Sequence, residues 1–223
     1  MTHNNLTCLL DFDSTRGVLE DKTGKNVLTN NSNNVVIKKL GRVYSAYFNT
    51  VPGGADYLQT LNIEINSTSF VVSTWIRCNY YGGNQTVWSL GNDISSPNFI
   101  YVMLDTGSIV YYSALDNNSA ALVNTTYTST NQYRQRFLHI LTTWNFNAKT
   151  TSLYTNGVNR GNISYSGSIS PSNKFTLGNR SITTYYRNLR GYMPKLQVFK
   201  GLPNNMDQFV SQIYNSQKWQ FGI

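Results

Sequence analysis

The sequence predicts an all-β protein, a sandwich or barrel of short strands closed by one short C-terminal helix. Apolar and alternating runs recur at close intervals with turn clusters between them, the pattern of a many-stranded β fold. Charged residues make up 13% of the chain, against roughly 25% in an average globular protein, and Asn, Ser, Thr and Tyr supply the polarity instead. Thr, Tyr, Val and Ile suit a pleated, half-buried surface, Asn and Gly suit turns, and the helix formers Glu and Ala are scarce. With 223 residues and an apolar share of 40%, the chain is long enough for one substantial core, and a single domain spanning 1–223 is predicted.

The elements follow in order. LTCLLDF opens as a strand, and DSTRGVLEDKTGKN follows as a polar loop. VVIKKL and VYSAYFN are strands parted at Gly41, and VPGGAD is a turn after which YLQTLNIEI leads into SFVVSTWIRCN. In that run Phe70, Val72, Thr74, Ile76 and Cys78 share one face while Val71, Ser73, Trp75 and Arg77 share the other. Both faces carry apolar residues, so the strand is central. TVWSLGN is the next strand, followed by a loop through Asp93 and Pro97. NFIYVMLDTGSIVYYSA is a hairpin turning at 105–108. LDNNSAALVNTTYTSTNQYRQ reads as loop plus edge strand. HILTTWNFNAKTTSLYTNG is a second hairpin, its register fixed by the polar turn at Asn147 and by Asn156-Gly157, where positive φ is tolerated. KFTLGN, the Tyr- and Arg-rich loop RSITTYYRNLR and the strand GYMPKLQVF complete the β part. In MDQFVSQIYNSQ, Phe209, Val210, Ile213 and Tyr214 gather on one helical side, and Asn205 with Gln208 resembles a capping box.

Several function classes are disfavoured at this level. The formal net charge is +8, but Lys and Arg are scattered, with no basic stripe of the kind nucleic acid binding requires. A weak attraction to acidic glycans or anionic surfaces is compatible with such a field. No apolar run reaches membrane-spanning length, and MTHNNLTCLL lacks the basic start and apolar core of a signal peptide. Cys8 and Cys78 form no zinc motif and read as buried thiols, with a disulfide open only if their strands are neighbours.

In sequence order, CLLDFD, GRVYSAYFNTVPGGADYLQT, SFVVSTWIR with its central Trp75, TVWSLGN, FLHILTTWN with TSLYTNG, FTLGN and GYMPKLQVFKGLP with the closing helix resemble the laminin-G-like branch of the concanavalin A-like lectin/glucanase superfamily. The resemblance covers nearly the whole chain and implies a two-sheet antiparallel jelly roll. It places Ile140 and Trp144 in the core between the sheets, and gives His139 a strand-end hydrogen-bonding role. Pro194 and Lys195 depart from the family pattern, in which acidic residues often precede the last strand; the core positions Met193, Leu196 and Val198 are unaffected. The fold alone names no activity.

Glycosidases of this fold carry paired carboxylates on one strand. Glu20 and Glu64 have no such partner, and Asp11 with Asp13 has the spacing but sits at the end of the first strand. His3 and His139 lack a nucleophile or carboxylate at a motif spacing. No catalytic residues are therefore assigned. The resemblance implies that Ca²⁺ could sit in rim loops on hard oxygen ligands, with Asp56, Asn92 and Asp93 as the candidate metal ligands. For sugar, exposed aromatics and hydrogen-bonding side chains point to Tyr80, Tyr81 and Asn84, and to Tyr185, Tyr186, Arg187 and Asn188. The expectation is a non-catalytic surface or adhesion module at a virion or extracellular surface. It would bind glycans or decorate other proteins of a coat, in a larger assembly or a homo-oligomer, without nucleic acid or membrane insertion. The competing expectation is a polysaccharide-acting enzyme of the same fold.

Overall fold

The computed structural model describes residues 5–12, 19–30, 35–49, 57–60, 63, 69–79, 85–91, 99–105, 109–115, 127–128, 135–165, 174–179 and 188–223. Its strands are β1 (Leu6–Asp11), β2 (Leu28–Asn30), β3 (Val36–Leu40), β4 (Val43–Asn49), β5 (Leu58–Thr60), β6 (Ser69–Cys78), β7 (Gln85–Leu90), β8 (Phe99–Asp105), β9 (Ile109–Leu115), β10 (Tyr127–Thr128), β11 (Leu138–Asn145), β12 (Thr150–Thr155), β13 (Val158–Ser164), β14 (Phe175–Leu177) and β15 (Arg190–Lys200). Helix α1 (Met206–Gln217) and a 3₁₀ turn at Lys218–Phe221 end the chain.

Every ladder between these strands is antiparallel. One sheet runs β13-β12-β11-β6-β15-β4-β3, with β1 also paired to β15, and the other runs β10-β9-β8-β7-β14-β5-β2. Their inner faces enclose the main core. Phe70 on β6 and Trp144 on β11 stack with centroids 6.4 Å apart, and Phe70 meets Trp88 of the opposite sheet edge-on at 6.5 Å. All three rings are fully buried, each a stabilising burial of about 2–3 kcal/mol on area grounds.

Strand β6 is central as its alternation predicts. Phe70, Val72, Ile76 and Cys78 enter the core between the sheets, whereas Val71 and Trp75 belong to two further apolar clusters on the outer face. Helix α1 and the 3₁₀ turn cover that outer face. Phe209 and Val210 pack with Val71, Leu141, Tyr154 and Phe199, and Phe221 packs with Val43, Trp75 and Phe137. The helix begins where Asn205 Oδ1 accepts the Gln208 backbone N–H at 3.0 Å, which satisfies one of the free amides of its first turn.

Strand β15 changes partner part-way along. Arg190–Met193 pairs with β4 and Lys195–Phe199 pairs with β1. Between them the register with β6 shifts, and Pro194, which cannot donate to a ladder, occupies that irregularity. Its carbonyl accepts the Phe12 N–H at 3.2 Å. The family departure at Pro194 and Lys195 thus has a local use, and Met193, Leu196 and Val198 remain fully buried.

The predicted loop after β1 is pinned by a buried carboxylate. Asp21 accepts from the backbone N–H groups of Leu9, Thr23 and Asn26 and from the side chains of Thr23 and Asn26, at 2.6–3.1 Å. Burial alone would raise its pKa, but these hydrogen bonds hold it below the ordinary carboxylate value. Cys8 and Cys78 are free and buried. Strand β15 lies between them, with Cys8 opposite Val198 and Cys78 opposite Gly191. Two strand spacings, roughly 9–10 Å, exceed the roughly 7 Å that a disulfide spans between Cα atoms.

Candidate functional site

Two of the residues weighed for catalysis, Asp11 and His139, have structural partners. Asp11 forms an ion pair with Lys195 at 2.8 Å, across the rung that joins β1 to β15. Glu20 is exposed, while His3, Asp13 and Glu64 lie outside the described residues. His139 is fully buried and shares a 2.9 Å hydrogen bond between Nε2 and the Ser73 hydroxyl. Burial lowers its pKa to about 3, so the ring is neutral near pH 7. Its place beside Trp75 and under Tyr214, with centroids at 4.9 and 5.8 Å, is that of a packed core histidine.

Of the predicted ligand contacts, Tyr80, Tyr81, Asn84, Tyr185, Tyr186 and Arg187 lie outside the described residues, as do Asp56, Asn92 and Asp93. Among the described residues no group of three or more His, Cys, Asp or Glu side chains is placed to hold a metal. Asn188 is described, and it is 4% exposed and bridged to Thr86, which leaves little of it to offer a ligand. The structure does bring together the ends of the two Tyr-rich segments. Asn79 N–H donates to the Arg190 carbonyl at 2.9 Å, and Arg190 N–H donates to Gln85 Oε1 at 2.8 Å. Asn79, Gln85 and Arg190 therefore meet on one rim of the sandwich.

Beside that rim is an open cleft of about 620 Å³ lined by Arg77, Gln135, Arg136, Phe137, Asn156 and Phe221. Alternation along β6 turns Arg77 to the outer face, one position beyond the end of the helix cover. The β6–β11 register, with His139 opposite Trp75, brings the residues before β11 alongside it. Asn156 sits in the Asn-Gly turn with φ 49°, and its Oδ1 accepts the His139 backbone N–H at 3.0 Å. Gln135 also has a left-handed backbone, φ 61°, a conformation that non-glycine residues adopt at an energetic cost and that clusters at functional sites. The floor is aromatic: Phe221 lies 5.0 Å from Phe137 and 4.3 Å from Trp75 between centroids. Arg77 Nε is buried with no hydrogen-bond partner among the described residues.

Tyr192 lies opposite Arg77 across the β15–β6 pairing. Its ring is 4.7 Å from that of Tyr47, over which Lys38 Nζ stands at 3.9 Å. The outer face thus continues from the cleft as a strip of tyrosines and cations. A second, shallower groove of about 490 Å³ crosses β12 and β13 toward the start of α1, with Thr150, Ser152, Asn159 and Asn162 among its lining residues. Sequence reasoning put Arg77 on the outer face of its strand, but it did not single out the cleft, whose walls come from four distant parts of the chain.

A family model described as the concanavalin A-like lectin/glucanases superfamily matches residues 52–205, and the chain belongs to that family. No curated protein matches the sequence. Among solved structures, the botulinum neurotoxin type G receptor binding domain is similar at TM-score 0.71 and 15% identity, over 96% of this chain and 51% of that one. The binding domain of botulinum neurotoxin DC in complex with rat synaptotagmin II is similar at TM-score 0.72 and 18% identity, over 97% and 52%. Domain 4 of AbnA, a GH43 extracellular arabinanase from Geobacillus stearothermophilus, in complex with arabinotriose, is similar at TM-score 0.64 and 15% identity, over 93% and 98%. This chain spans about half the length of those neurotoxin chains and nearly all of the arabinanase domain. At such identities the likeness is one of fold.

Proposed function

We propose that the protein is a non-catalytic glycan-binding module working at an extracellular surface. The observation that carries this reading is the cleft at the rim: guanidinium groups at Arg77 and Arg136, amides at Gln135 and Asn156, and an aromatic floor form the donor-rich, partly apolar lining that a sugar's hydroxyls and ring faces need. The relatives support it, since a domain that this chain matches over nearly its whole length was solved with arabinotriose. A protein partner is the other kind of ligand in this fold group, as the synaptotagmin II complex illustrates. These relatives give no support to a virion or coat setting, nor to a larger assembly. The polysaccharide-acting reading is disfavoured because the one described member of its carboxylate pair, Asp11, is committed to Lys195.

A glycan array probed with the full chain, with and without Ca²⁺, tests the proposal. Binding to at least one glycan class is expected, and a Ca²⁺-dependent signal would bring Asp56, Asn92 and Asp93 into the site. An array without any bound sugar at high protein concentration, or reducing-sugar release from polysaccharides by the purified chain, would overturn it.

A further inference from the structure

We infer that the rim cleft takes a carboxylate-bearing sugar, a uronate or sialate residue, held by Arg77 and Arg136; this rests on the glycan-binding reading above. Arg77 and Arg136 both line one cleft of about 620 Å³, whose wall Gly222 and Ile223 complete, and none of the described lining side chains is acidic. The ion pair of the described residues is Lys195 with Asp11, elsewhere on β15 and β1. Arg77 is half-buried on β6, and its Nε is shielded from water without a hydrogen-bond partner among the described residues. The guanidinium carries further N–H donors besides this shielded one, and a carboxylate in the cleft accepts from them in the paired geometry that such a fork favours.

The other walls fit the rest of such a sugar. Gln135 and Asn156 bring amides, each on a left-handed backbone position, which fixes where their side chains emanate. Phe137 and Phe221 give an apolar base beneath, their rings tilted by 51° to each other. The net charge of +8 draws anionic glycans to the surface in general, whereas the cleft adds a directed contact. The two contributions are separable, because Lys38 and Lys39 lie on the edge strand β3 and do not line the cleft.

The test is titration calorimetry of the full chain with paired probes: trigalacturonic acid against its methyl ester, and sialyllactose against lactose. In at least one pair the acid should bind about tenfold more tightly than its neutral counterpart, the scale of one charge-assisted contact, and which pair responds separates a uronate from a sialate. Arg77→Gln with Arg136→Gln should abolish that preference. Lys38→Gln with Lys39→Gln removes the same two charges and should keep it. Arg136 is exposed, so Arg136→Gln alone provides a variant whose melting midpoint should match the parent while the preference falls several-fold. Acid and neutral forms bound alike, or a preference unchanged in the arginine variants or lost equally in the lysine pair, would overturn the inference and leave glycan binding standing. No binding to any sugar on the array would overturn both.

Discussion

The indole N–H of Trp75 donates to Oε1 of Gln217 at 2.8 Å, and Nε2 of Gln217 donates onward to Oε1 of Gln197 at 2.8 Å. One amide on the last turn of α1 thus fastens the helix to two adjacent strands, β6 and β15, on the outer face. Trp75 is fully buried and Gln217 is 7% exposed, so the indole N–H has no water to fall back on.

Gln217→Met should therefore lower the unfolding free energy by about 1–3 kcal/mol, the cost of leaving a buried donor unpaired. Urea melts followed by tryptophan fluorescence would measure it. In a Trp75→Phe background, where the donor is already gone, the same substitution should cost clearly less, since contacting residues couple. Equal costs in the two backgrounds would show that the relay contributes nothing beyond packing.

His139 gives the fold an acid sensitivity of definite sign. Burial lowers its pKa in the folded protein to about 3, whereas the unfolded chain protonates it near the ordinary value of about 6.5. Above that value the residue leaves stability unchanged. Below it the unfolded state takes up the proton first, and stability falls by up to about 1.4 kcal/mol per pH unit as pH drops toward 3. The Asp21 pKa is shifted in the same direction, below the ordinary carboxylate value, so its contribution is lost only as pH falls through the ordinary carboxylate range and below it. Denaturant melts between pH 7.5 and 4.5 should thus show a decline that His139→Gln removes. A decline that persists undiminished in that variant would assign the effect elsewhere.

Why the fold was legible and the cleft was not follows from how each is encoded. The alternation in SFVVSTWIRCN states both that β6 is a strand and that both its faces are covered, because Val71 and Trp75 are too apolar to face water. The helix was legible from Phe209, Val210 and Ile213, and its start from Asn205. Strand β13 was missed because VNRGNIS is an edge strand with largely exposed side chains, so it carries no apolar alternation. Asp21 was missed inside a polar loop, where its burial depends on backbone amides and not on residue type. The cleft depends on register: Arg77 meets Arg136 only because β11 pairs with β6, and both meet Phe221 only because the chain returns after α1. A single sequence holds no record of such pairings.

Gly191 marks how closely β15 and β6 approach at the rim beside Arg77. A Cβ there would fall inside contact distance of the Arg77 carbonyl oxygen and against the Cys78 Cα, both backbone atoms of β6 that cannot rotate away. Gly191→Ala should force β15 outward and cost about 3 kcal/mol, at the upper end of overpacking effects. Because the displacement begins beside Arg77, glycan affinity measured well below the melting midpoint should fall as well. Affinity and stability both equal to the parent would refute this account of the rim.

Trp144 stands at the centre of the hairpin made by β11 and β12, and its chemistry could in principle serve either a ligand or the core. The structure puts it in the core. It is fully buried, stacked on Phe70 with an interplanar angle of 11°, and 6.3 Å from the Tyr165 ring. Truncation would open a large void between two sheets whose backbones are held by ladders on either side, so collapse to fill it is limited. Trp144→Ala should accordingly cost about 3–5 kcal/mol. Denaturant melts would register it as a lower midpoint with little change in slope. Glycan binding by the folded fraction should be unaltered, since the cleft is walled from the outer face of β6 and β11 while Trp144 points inward from β11. A midpoint equal to the parent, together with weakened sugar binding, would move Trp144 from the core to the ligand site.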